Sequence, residues 1–127
     1  MPQTPTKKSK ASASERLGYL ELISTTLIGL QNGIKNLELR RAFGDLNETR
    51  EINIMVSDYK AKMTKVAALR DLYLAQDVTF TPPSQAQMDA ARRAVDELDS
   101  IIVANEKATT IIVAVTKLIT TFEETNA

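Results

Sequence analysis

The sequence predicts an all-α protein, an up-down-up bundle of three long helices in which the third is the longest. Three observations carry this expectation. Apolar residues recur at alternating spacings of three and four along most of the 127 residues, a rhythm that a strand, with its side-chain period of two, cannot use. Pro occurs only at positions 2, 5, 82 and 83, which leaves two long uninterrupted stretches. Hydrophobic residues make up 43% of the chain, yet only 5% of the chain is aromatic and Trp is absent. The core must therefore be aliphatic, which suits interdigitating helices. The length fits one domain, expected over residues 14–127. Folding at this size buries roughly two thirds of the chain's area, enough for a core without disulfide or metal.

Residues 1–13 read as a disordered basic tail. Pro2, Pro5, several Ser and Thr, and Lys7, Lys8 and Lys10 leave no large apolar residue after Met1. Ser12 and Glu15 then have the spacing of a capping box. The first helix is predicted over 13–43, with Leu20, Ile23, Leu27, Leu30, Ile34 and Leu37 on one stripe. Gly44 stands where a helix often ends in a left-handed residue. Asp45 precedes Glu48 by three, a second capping spacing.

The second helix is predicted over 46–77. Its apolar face holds Ile52, Met55, Val56, Tyr59, Met63, Val66, Leu69 and Tyr73. Asp58 and Lys62 are four apart, in the favourable order for a surface ion pair. The segment 78–84 is the clearest break. Thr81 can cap the next helix with Pro82 at its first position, where a missing N–H costs nothing. Ser84 with Gln87 is an alternative cap, and Phe80 can staple this connection to the end of the bundle.

The third helix is predicted over 83–124. Val95, Leu98, Ile102, Asn105, Thr109, Ile112 and Ile119 mark one seam; Ile101, Ala108, Val115 and Phe122 mark its neighbour. Residues 109–122 are rich in β-branched side chains, which favour strands. The helical spacing of Ile112, Val115, Ile119 and Phe122 decides for helix.

Lengths then conflict. At 1.5 Å per residue the first two helices reach roughly 45–50 Å and the third roughly 60 Å. An overhang near 114–124 would expose Val115, Leu118, Ile119 and Phe122, each worth about 1.5–3 kcal/mol when buried. Either the helix is continuous and its end packs on another subunit, or it breaks near Ala104-Asn105-Glu106-Lys107 and folds back into a four-helix bundle. No Gly or Pro marks that break, so the continuous form is expected. It implies a homo-oligomer, a two-fold dimer first, with Ile112, Val115, Leu118, Ile119 and Phe122 as the interface. Asn105 on the seam would set register if buried, but a rotation of the helix that leaves it exposed is the favoured reading.

Chemistry is limited by composition. Lys plus Arg and Asp plus Glu each number 16, and His and Cys are absent. Thiolate sites, disulfides and Glu-x-x-His di-iron pairs are excluded. Zero net charge argues against general attraction to nucleic acid or anionic membrane. Lys7, Lys8 and Lys10 are the candidate nucleic-acid contacts, although a solubilising disordered tail is the favoured reading. Asp96, Glu97 and Asp99, like Glu123 and Glu124, form acidic clusters. Asp89, Arg92, Arg93, Asp96 and Glu97 interleave as on an ordinary solvated helix face.

Gly29 and Gly33 have a small-xxx-small spacing that permits close helix approach. Asn47-Glu48-Thr49 matches a glycosylation sequon, here a coincidence because no secretory signal precedes it. Residues 17–34 are too polar for a membrane span. The expectation is a cytoplasmic, non-enzymatic interaction or structural module without metal or cofactor, self-associating through the apolar end of the third helix. The alternatives are a nucleic-acid-associated protein using the basic tail, or an amphipathic helical protein that coats lipid or other apolar surfaces.

Overall fold

A computed structural model describes residues 13–75 and 83–125. Four helices are present and no strand among the described residues: α1 (Ala13–Arg40), α2 (Leu46–Ala75), α3 (Gln85–Val103) and α4 (Ala108–Glu124). The all-α expectation holds. The single long third helix does not, and the four-helix alternative replaces it. Lys7, Lys8, Lys10, Ser12, Phe80, Thr81 and Pro82 lie outside the described residues, as does the side chain of Tyr73.

Local chemistry explains the helix ends. Asp45 Oδ1 accepts from the Glu48 N–H at 2.8 Å and caps α2. Ser84 and Gln87 form a reciprocal capping box on α3, at 3.1 Å and 2.9 Å. Gly44 is not left-handed, since no glycine has positive φ. The carboxylate of Glu48 folds over it, into space a Cβ would occupy.

The break between α3 and α4 needs neither Gly nor Pro. Asn105 takes φ 56°, a left-handed conformation that Asn tolerates better than most residues. Its N–H donates to the Ile102 carbonyl at 3.0 Å, and the Glu106 N–H reaches back to the Ile101 carbonyl at 3.3 Å. These two bonds are a Schellman ending. Asn105 is therefore exposed at a turn, not buried on a seam. Its Oδ1 accepts from Arg40 Nη2 at 2.7 Å, which ties this turn to the end of α1.

That bond puts both tight turns at one end, so the helices run up, down, up, down. Lys60–Glu38 at 2.8 Å and Lys117–Glu97 at 3.1 Å stitch the two antiparallel pairs. Helix α1 packs against all three others, while α2 touches α1 and α4 but not α3. The predicted α1 stripe is buried or packed on the core. A second stripe, Tyr19, Leu22, Thr26, Gly29 and Gly33, is buried too. A Cβ on Gly29 would meet Leu118 Cδ2 at 3.3 Å, and one on Gly33 would meet Val115 Cγ2 at 2.7 Å. The two glycines thus let α1 approach α4 closely.

The five residues expected to form an oligomer interface are inside this bundle. Ile112, Val115, Leu118, Ile119 and Phe122 are all buried against their own chain. With α4 folded back, the overhang that required a second subunit does not exist.

Candidate functional site

Two surface features stand out from this frame. The first is the end of the bundle where the turns meet. Phe43 is 89% exposed and Val103 85%, with Leu39 and Leu46 also exposed there. Phe43 sits in the turn after α1, its N–H donating to the Arg40 carbonyl at 3.1 Å. Val103 closes α3, two residues before Asn105. The Arg40–Asn105 bond fixes these turns relative to each other.

The second is a cleft of about 220 Å³ between α1, α2 and α4. Its walls are Leu30 from α1, Val66 and Leu69 from α2, and Ile119 and Phe122 from α4. The Phe122 ring stacks on Tyr19, centroids 6.5 Å apart, which holds that wall in place. Lys62, Lys65 and Glu123 complete the lining. Lys62 Nζ lies 3.4 Å from Glu123 Oε2 across the cleft, and that is its ion pair in place of the predicted one with Asp58.

A clamp joins α2 to α4 beside this cleft. The clamp is Tyr59, almost wholly buried. Its hydroxyl lies 2.9 Å from the Ile112 carbonyl and 2.6 Å from Thr116 Oγ1. A carbonyl can only accept, so the phenol donates to Ile112 and accepts from Thr116. Burial pushes the phenol's pKa up from its usual value, with the Thr116 hydrogen bond opposing.

Thr26 also lines the cleft. It is 0% exposed, and its Oγ1 has no hydrogen-bond partner. Thr25 and Thr64 behave differently: their hydroxyls donate to the carbonyls of Glu21 and Lys60 four residues back, at 2.8 Å and 3.0 Å. A buried unsatisfied hydroxyl costs about 1–3 kcal/mol. A wider groove of about 370 Å³ follows the opposite side of the α1–α2 pair, past Ile28, Met63 and Arg70, and contains no such group.

Sequence reasoning singled out neither feature. Thr26 was hidden by its type, since a polar residue was not counted on an apolar stripe. The signal was its place four after Leu22 and three before Gly29. The acidic residues of α3 are surface groups, with Asp89–Arg92 at 3.7 Å and Glu97–Lys117 at 3.1 Å. Among the described residues no group of three or more acidic side chains could hold a metal ion. No described helix is long and apolar enough to cross a membrane. No family model, curated protein or solved structure matches this chain.

Proposed function

We propose that this chain is a non-enzymatic interaction module that associates, first with a second copy of itself, through the turn end of the bundle. Support comes from Phe43 and Val103, large apolar side chains held in solvent at the same end by the Arg40–Asn105 bond. A single exposed apolar residue needs no explanation, whereas several on one rigid end suit an interface. The lack of His and Cys also removes the commonest acid–base and nucleophilic groups. The association surface differs from the one the sequence suggests, because Val115, Leu118 and Phe122 are occupied in the core.

Sedimentation over a micromolar concentration series tests this. The wild-type chain is expected to self-associate, and Phe43→Asp with Val103→Asp to weaken association at unchanged helix content. A monomer at every concentration would sink self-association through this end.

A further inference from the structure

We infer that two copies of this chain associate by exchanging α4. The turn between α3 and α4 opens into one continuous rod, and the α4 of each copy seats on α1 and α3 of the other. This deepens the proposed self-association and rests on that reading, because the exchange brings the two bundles together at their turn ends.

The register across the turn is the first observation. Leu98, Ile101, Asn105, Ala108, Ile112 and Val115 alternate spacings of three and four without a slip. Leu98, Ala108, Ile112 and Val115 are buried, and Ile101 packs on the core. A hairpin has no need to keep its two helices in one phase, whereas a rod with a single apolar face requires it. Asn105 then occupies a core position of that rod, where a polar side chain can specify register.

The second is the hinge. Among the described residues Asn105 is the one non-glycine with positive φ, at 56°, and the chain from residue 84 onward holds no Gly or Pro. Lys107, at the N-cap of α4, makes no side-chain cap bond. Straightening the chain releases a locally unfavourable conformation and lets residues 104–107 join the helical hydrogen bonds.

The third is what the exchange conserves. Helix α4 recovers on the partner every contact that it makes at home, which is why swapping an identical element is a low-cost route to a dimer. Lys117–Glu97 at 3.1 Å and Lys62–Glu123 at 3.4 Å become ion pairs between copies. Val115, Leu118 and Phe122 are then core and interface at once. The rod leaves each bundle through the turn end, so the exposed Phe43 and Leu46 there meet the other copy.

A carbodiimide, which condenses a Lys amine with an adjacent Glu carboxylate to an amide, reads the exchange in the wild-type full chain. Unlabelled and heavy-nitrogen protein are refolded together from urea, the dimer is isolated and cross-linked, and the joined peptides are weighed. Both the Glu97–Lys117 and the Lys62–Glu123 peptides from the dimer are expected to include pairs of mixed label. Asn105→Ala, unfavourable in the turn and favourable in the helix, is expected to tighten dimerisation about tenfold or more. Asn105→Gly, at ease in the turn and poor in the helix, is expected to weaken it about threefold or more. A dimer that yields only single-label peptides overturns the exchange and leaves association through the turn end standing. Equal dimerisation of the two hinge variants does the same. A monomer at every concentration overturns both readings. The wild-type cross-links still decide should Asn105→Ala fold poorly.

Discussion

Val115 Cγ2 stands 2.7 Å from the place a Cβ on Gly33 would occupy. The separation between α1 and α4 is thus set by a residue with no side chain facing one that is stiff at χ1. Gly33→Ala gains about 1 kcal/mol of helix propensity but forces an overpacked contact costing about 1–3 kcal/mol. Net destabilisation is expected. Gly29→Ala meets the flexible end of Leu118 at 3.3 Å and the Val95 methyls at an ordinary 3.6–3.9 Å. It should be neutral or stabilising. Paired urea melts check the contrast, and equal effects would refute this account of the helix spacing.

Asn105 is the hinge on which α4 returns. Asn105→Ala places a Cβ-bearing residue without a capping side chain at φ 56°, which costs about 1–2 kcal/mol. Asn105→Gly should recover most of that loss, since glycine adopts this conformation freely. The remaining difference between Gly and Asn combines the lost bond from Arg40 with glycine's different backbone freedom. Thermal unfolding of the three proteins gives the order.

Tyr59→Phe removes the hydroxyl that joins α2 to α4 and should cost about 1 kcal/mol at neutral pH. The pH dependence has a definite sign. The folded-state pKa lies above the ordinary 10.0, so above that value the unfolded chain loses this proton first. Stability from the neutral phenol is complete below the unfolded pKa and lost as pH rises through the folded one. The gap between wild type and Tyr59→Phe should therefore narrow with alkali. Denaturant titrations on either side of the unfolded pKa measure it.

Thr26→Val should stabilise the protein, or at worst leave it unchanged. The variant deletes an unpaired buried hydroxyl, whose burden is about 1–3 kcal/mol, and retains its volume. Destabilisation well beyond about 1 kcal/mol would mean that the hydroxyl has a partner.

Much of this bundle was legible from residue spacing. The caps Asp45 and Ser84 and the stripe from Ile23 to Leu37 are local, because each depends on residues within a few turns of one helix. The stripe through Tyr19, Leu22, Thr26, Gly29 and Gly33 was less legible. A polar residue and two glycines carry no apolar signal, and their burial depends on α3 and α4 arriving. The cleft was not legible at all, for it is a gap between three helices.

By itself the sequence determined the helical class, the aliphatic core and the absence of histidine and thiol chemistry, since period and composition belong to the chain alone. Only the tertiary structure decided that residues 85–124 form two helices. A left-handed Asn105 is locally unfavourable, yet it brings Val115, Leu118 and Phe122 onto α1. Burial of each such side chain is worth about 1.5–3 kcal/mol, more than one strained residue costs. That comparison depends on a surface some eighty residues away in sequence, which no local pattern encodes.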